Sequence, residues 1–310
     1  MDEYDLNNFT TNTFASYMRF QFLIFITAFL LTSLNSNAQR IEIGAFAGIS
    51  NYMGDLAPVA FIPKESHPSY GALAKFNVNR FVSVKYGFFS GNISGSDARN
   101  AGVELWRLKR NLSFRSPIAE NSLQVEINLF GWRSSYFANR FTPYFEAGVG
   151  VFKFNPQALY NGSWVDLQPL GTEGQGLFGA PASYKLTQIC FPIGGGFKYA
   201  FTKNWSMSGD LSFRKTTTDY LDDVSGNFAD ANAVGALHGP IAADLSDRSD
   251  EIYGTDKYQA GDQRGDPGDM DWYFYPGITL NYTFTKSQHD KTSERQMGDF
   301  GCYSFHRWRD

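Results

Sequence analysis

The chain has 310 residues and a formal net charge of −4, with 29 Phe, 17 Tyr and 30 Gly, and only 19% of its residues are charged. The mild acidic balance, with acids gathered in one loop, offers no basic footprint for a nucleic-acid partner. Cys190 and Cys302 leave one disulfide open but are too few for a disulfide framework.

The first element is an export signal. Met18-Arg19 precedes an apolar run from Phe20 to Leu34, and Ser36-Asn37-Ala38-Gln39 places small residues at the −3 and −1 positions. Residues 18–38 therefore read as a signal peptide cleaved after Ala38. The run is shorter than the roughly 20 apolar residues a bilayer-spanning helix needs, and Thr27, Thr32 and Ser33 dilute it. Asp2, Glu3 and Asp5 are acidic where a signal wants positive charge, so residues 1–17 read as a gene-model extension upstream of a start at Met18. No later apolar run reaches spanning length as a helix.

From Arg40 onward the hydropathy alternates with period two. Ile41, Ile43, Ala45, Ala47 and Ile49 alternate with Glu42, Gly44, Phe46, Gly48 and Ser50. Tyr70–Val78 sets Ala72, Ala74 and Phe76 against Leu73, Lys75 and Asn77; Val82, Val84, Tyr86 and Phe88 oppose Ser83, Lys85 and Gly87. Leu123, Val125, Ile127 and Leu129 oppose Gln124, Glu126 and Asn128, and Phe145, Ala147, Val149 and Val151 oppose Tyr144, Glu146, Gly148 and Gly150. Three more such segments follow, around Ile193–Phe201, Trp205–Arg214 and Trp272–Phe284. The sum is about eight strands, an even number, each with one apolar and one polar face.

The links alternate in length. Asn79-Arg80 and Thr202-Lys203-Asn204 are turns and Arg133–Thr142 is moderate, whereas 52–68, 93–118, 155–184 and 216–270 are long. Short turns on one side and long loops on the other predict a membrane-spanning antiparallel up-and-down β-barrel over 39–285, with turns periplasmic and loops extracellular. Alternation alone fits a soluble sandwich as well. Aromatic residues near strand ends (Tyr199, Phe201, Trp205, Trp272, Tyr282, Phe284) favour the barrel, because they sit where interfacial girdles form. The polar faces carry Glu42, Lys75, Lys85, Glu126, Glu146, Lys198, Asp210 and Arg214. In a narrow lumen these charges would pair into a plug and leave no open pore.

No catalytic or cofactor signature stands out. Gly194-Gly195-Gly196 lacks phosphate-loop spacing and reads as relief of crowding within a strand. His67, His238, His289 and His306 are scattered without metal-ligand spacing. No nucleophile–base pattern is anchored on a strand, so the expectation is a protein that is not an enzyme and has neither metal nor cofactor. The loop 216–270 holds Asp219, Asp222, Asp223, Asp230, Asp244, Asp247, Asp250, Glu251, Asp256, Asp262, Asp266 and Asp269 against Arg248, Lys257 and Arg264. Without an EF-hand run it reads first as a solvated surface loop, and second as a calcium site or a docking surface for a basic partner. Residues 286–310 form a polar extension.

Several segments together resemble the PorG-like family of Bacteroidota outer-membrane barrels, a domain of unknown function associated with type IX secretion. They are Ile43-Gly44 through Ser50, Tyr52 and Gly54-Asp55-Leu56; Tyr144 through Gly150; Phe191 through Phe197; and, most specific, Thr218-Asp219-Tyr220-Leu221-Asp222-Asp223-Val224-Ser225-Gly226. The resemblance spans about residues 40–285. It implies a non-enzymatic barrel in the outer-membrane bilayer that anchors a periplasmic ring of PorK- and PorN-like proteins. It carries over no catalytic residues, and it singles out Asp219, Tyr220, Asp222 and Asp223 as structural or contact positions, with a local turn capped by aspartates as the simpler role. A generic structural or adhesin-like barrel is the competing reading.

Overall fold

The computed structural model describes residues 41–59, 61–99, 105–132, 140–254 and 258–284, all within one compact unit, Gln39–Thr285. The signal segment 18–38, residues 1–17, the tail 286–310, Cys302, His289, His306, Asp256 and Lys257 lie outside the described residues.

Eight long strands close into a barrel. They are β1 (Ile41–Met53), β2 (His67–Asn77), β3 (Val82–Ser96), β4 (Ser113–Asn128), β5 (Phe141–Phe154), β8 (Thr187–Ala200), β9 (Trp205–Thr216) and β10 (Trp272–Thr283); a short hairpin, β6 (Gln157–Tyr160) and β7 (Ser163–Asp166), is inserted between β5 and β8. Each barrel strand pairs antiparallel with the next barrel strand in the chain and β1 pairs with β10, so the eight-strand barrel has no free edge. The tight turns have local causes. Asn79 Oδ1 accepts from the N–H groups of Phe81 (2.7 Å) and Val82 (2.9 Å) between β2 and β3, and Thr202 Oγ1 accepts from Trp205 N–H (2.9 Å) between β8 and β9.

The pleat runs inside out relative to a soluble protein. Ile43, Val125, Val149, Ile193, Leu211 and Ile278 point outward and are 46–54% exposed, whereas the charged residues between them are buried in the lumen. A sandwich would bury the first set and expose the second, so the surface is that of a membrane-spanning barrel. Among the described residues no helix is long and apolar enough to cross a membrane; the strands provide the crossing. Exposed Phe141, Tyr199, Phe201, Trp205 and Phe284 gather at the short-turn end, where an aromatic girdle belongs. The glycine run lies in β8: a Cβ on Gly196 would land on the backbone oxygen of Gly209 in β9, so only glycine permits that approach.

Three links differ from expectation. β3 and β4 extend past the apolar alternation, so the stretch 93–118 shrinks to a connection of 97–112 carrying α1 (Leu105–Arg110). The stretch 155–184 contains the β6–β7 hairpin. The acidic stretch 216–270 is not a simple solvated loop. It holds α2 (Ala231–His238), α3 (Pro240–Ser246) and α4 (Asp250–Tyr253), and it buries Leu221, Asp222, Asp223, Val224, Leu245 and Arg264. Strand periodicity misses these parts because their apolar residues face neighbouring loops, with no fixed period.

Candidate functional site

The lumen has two halves. Toward the short turns, Glu126 of β4 takes Lys75 (3.2 Å) and Lys198 as partners, and Lys198 also donates to Asn128 Oδ1 (2.9 Å). Lys85 pairs with Glu146 on β5. Glu42 and Asp210 have no cation within ion-pair distance among the described residues. Glu42 accepts from Asn77 (2.8 Å) and the Trp132 indole (2.9 Å), and Asp210 accepts from Tyr144 and Thr279 (2.7 Å). Arg214 turns instead to Glu120 (3.0 Å), a residue outside the apolar alternation that located β4. Of the eight lumen charges expected from sequence, seven thus meet near one another, and Arg214 stands one layer higher with Glu120 and Tyr273, whose hydroxyl also donates to Glu120 (3.0 Å). Each of these carboxylates has a donor, and all but the half-buried Asp210 are buried, so the donor is the condition for a tolerable buried charge.

The other half of the lumen is aromatic and apolar. Phe46 and Phe89 meet edge to face at 5.3 Å between ring centres, and Tyr275 stacks on Phe89 at 5.6 Å. Beyond the Glu120–Arg214 pair, Phe152, Phe154, Phe114, Ile93 and Ile118 fill the barrel up to its mouth. Between the halves lies a cavity of ≈ 10 Å³ lined by Lys85, Glu146, Asp210 and Tyr275 among others, room for about one water. Cys190 is a free thiol buried in this packing beside Tyr273.

At the mouth the four long loops lock into a cap. Tyr52, at the end of β1, directs its hydroxyl at Asp222 Oδ2 (2.6 Å) and Asp271 Oδ1 (2.8 Å). A phenol has one proton to give, so the second contact is satisfied when one carboxyl is itself protonated and donates back. Burial, then the neighbouring Asp55, pushes the Asp222 carboxyl well above the usual carboxylate range; burial, then Asp222, does the same for Asp271. Asp219 is raised to about 8, chiefly by burial. The backbone is tied to the same knot: Asp222 caps Val224 N–H (3.0 Å) and Asp271 caps Leu221 N–H (2.9 Å). A side chain at Gly54 would collide with both Tyr52 and Asp271.

A second hub adjoins it. Arg264 Nη1 bonds Glu173 Oε1 (3.1 Å) and the Asp223 carbonyl (2.5 Å), while Glu173 Oε1 accepts from Ser225 N–H (2.8 Å) and its other oxygen from Tyr220 (3.1 Å). Asp223 adopts a left-handed conformation (φ 66°) and is fixed by Tyr184 (2.6 Å) and Thr172 (2.5 Å). Burial lifts its carboxyl to about 6, with Arg264 pulling against that rise. Tyr184 and Tyr220 stack at 4.6 Å. Arg110 closes the remaining side, gripping Asp97 through two bonds (2.8 and 2.7 Å) and the Asp55 carbonyl (3.0 Å).

Thus Asp219, Tyr220, Asp222 and Asp223 gather with Tyr52, Gly54 and Asp55, more than 160 residues earlier in the chain. Asp222 and Asp223 are 1% exposed, Asp219 6%, and Tyr220 is half-buried, so the first three present almost nothing to the outside. Glu173, Asp271 and Arg110 are among the participants that sequence reading missed, with Thr172, Tyr184 and Asp97; the first three sit in different loops, and their meeting is a tertiary event. Among the described residues no group of three or more His, Cys, Asp or Glu side chains is arranged to hold a metal.

The model of a domain of unknown function, DUF6089, matches residues 20–238. The chain belongs to the DUF6089 family. The matched stretch covers the first seven barrel strands and ends at the last residue of α2, so the closing strand β10 lies beyond it. No curated protein matches this DUF6089 chain. Solved structures resemble it in fold. The N-terminal β-barrel domain of Pseudomonas aeruginosa OprF is 12% identical with a TM-score of 0.33, covering 80% of this chain and 98% of that one. Neisserial surface protein A is 9% identical (TM-score 0.39; 79% and 97% covered), and P. aeruginosa OprG 13% identical (TM-score 0.37; 81% and 98% covered). The likeness is one of fold and carries nothing about ligands or partners.

Proposed function

We propose that this DUF6089 protein is a non-enzymatic outer-membrane barrel that works through contact, as a PorG-like anchor for the periplasmic ring of the type IX secretion machinery. The observation behind this reading is that segments carrying the family resemblance converge on one buried knot. Tyr52, Gly54 and Asp55 meet Asp222 there, above a lumen filled from end to end. A plugged barrel has its outer surfaces left to work with. On this reading Asp219, Tyr220, Asp222 and Asp223 are structural positions that set the cap, and PorK- and PorN-like ring proteins contact the short-turn end, where Arg80, Phe81, Phe130 and Lys203 are exposed. Affinity capture of the tagged barrel from solubilised outer membrane should recover periplasmic ring proteins. Recovery of none of them overturns the secretion role while leaving the barrel intact.

A structural or adhesin-like barrel is the second reading. It is favoured by the cap, whose ordered loops present wholly exposed Phe178 with exposed Leu237 and Ile252. Deletion of the gene separates the two: loss of secreted cargo supports the anchor, and loss of surface attachment with secretion intact supports the adhesin.

A further inference from the structure

Charge on this barrel is layered. Among the described residues every acid on the eight barrel strands, from Glu42 to Asp210, faces the lumen. Exposed acids such as Asp166, Asp230, Asp244, Glu251, Asp262, Asp266 and Asp269 all belong to the cap. The outward strand surface carries cations instead, and they are not spread evenly. Arg115 on β4, Lys153 on β5 and Lys215 on β9 face outward, and Lys185 continues the outward row of β8 (Ile193, Phe191, Ile189, Thr187).

Register places the four around one arc of the rim. Lys153 lies opposite Thr187 on β8, two residues below Lys185, and Lys215 lies opposite Phe191 on the other side of the same strand. Each lysine stands two to four residues beyond the last apolar side chain of its row: Val151 below Lys153, Ile189 below Lys185, Phe213 below Lys215. Two strand residues are about 7 Å, within the reach of a lysine stem lying along apolar surface. Lys215 rides over the Trp272 ring (5.6 Å to its centre) and Arg115 over Trp164 (3.7 Å), the cation–aromatic pairing suited to a membrane interface. Among the described residues none of the four has an acidic partner within ion-pair distance. The opposite arc, over β10, β1 and β2, carries Trp272, Met53, Pro68 and Tyr70 in the same positions, with exposed Val59 and Phe61 and a single exposed lysine, Lys64, in the β1–β2 link above.

A cationic arc at the edge of an apolar belt faces the layer where lipid headgroups lie. We propose that Arg115, Lys153, Lys185 and Lys215 form a one-sided collar that binds the phosphates of lipid headgroups in the leaflet at the long-loop end. This rests on the barrel being seated in a bilayer; it is independent of any secretion partner. The collar gives the barrel a preferred lipid-facing side, and the arc over β10, β1 and β2, whose strands carry no outward cation, is the other.

The test uses the full chain folded in zwitterionic detergent micelles, with heat-modifiable gel migration as proof of a folded barrel. Diphosphoryl lipid A is titrated in, and bound lipid is counted by native mass spectrometry. Wild type should bind, and the K153Q/K185Q/K215Q variant should bind on the order of a hundredfold more weakly, about fivefold for each cation lost. An R80Q/K203Q variant, altered at the short-turn end, should match wild type. Lipid A stripped of its phosphates should not bind, and inorganic phosphate at millimolar concentration should not compete. Binding by the triple variant within twofold of wild type overturns the collar. So does equal binding of the dephosphorylated lipid, or effective competition by free phosphate. Absence of a heat-dependent shift in the wild type would instead sink the membrane-barrel reading, and the collar with it.

Discussion

In the lumen Glu126 lies between Lys75 and Lys198, Glu146 faces Lys85, and Glu120 faces Arg214. In the cap Asp222 and Asp271 face one phenol, with Asp55 and Asp219 nearby and cations held one step back on Glu173 and Asp97. Both regions bury carboxylates, by different physical means. The lumen balances most of its charge with opposite charge; the cap balances charge with protons. A rigid barrel wall can afford fixed ion pairs, whereas loops that must fold onto one another use groups able to lose their charge.

Four experiments press on that contrast. The largest effect is expected for Glu126→Gln, which leaves two buried ammonium groups beside a neutral amide. The folded barrel in vesicles should lose about 3–5 kcal/mol, read from the urea midpoint of the heat-modifiable band. An unchanged midpoint would show that the lumen pairs are not what holds that half. Its neighbour Val125 faces the other way and is 47% exposed. Val125→Arg should cost about 2–4 kcal/mol in vesicles if that face meets lipid, and almost nothing if it meets water.

Tyr52→Phe removes the hydroxyl shared by two carboxyls and should loosen the cap by about 1–3 kcal/mol, seen as faster protease cleavage within 217–271 while the barrel band persists. The smallest expected effect is the pH response. The folded-state carboxyl of Asp219 sits at about 8 and those of Asp222 and Asp271 are raised, against roughly 4 in an unfolded chain. Groups raised in this way stabilise fully below the unfolded value, and that stability is lost as pH rises through the folded one. Cleavage of the cap should therefore quicken severalfold between pH 5 and pH 9, and Asp222→Asn should flatten the profile. A cap that instead tightens toward alkaline pH would contradict the shared-proton geometry.

Much of the barrel was legible in the residues because a strand's two faces have period two and each face has one environment. Ile41 to Ser50 and Leu123 to Asn128 state inside and outside directly, and the lumen charges could be named from that parity alone. Glu120 was missed because none of its outward neighbours Asn121, Ala119 and Pro117 carries a large apolar side chain while Ile118 faces inward, so the pattern fades although the strand continues. In the cap Tyr52, Gly54-Asp55-Leu56 and the segment 218–226 stood out by resemblance, and the stretch 216–270 by its acids.

The sequence by itself determined the alternating faces, the strand count, the alternation of short and long links, and which side of each strand carries charge. Those properties are local, set by neighbours one and two residues away. Tertiary structure alone decided that Glu126 would serve two lysines, that Arg214 would turn from the lower charges to Glu120, and that a stretch rich in aspartate would fold inward around Tyr52. Those outcomes depend on barrel shear and loop closure, which set contacts such as Glu126–Lys198 (72 positions apart) and Tyr52–Asp222 (170 apart) and leave no period in the chain.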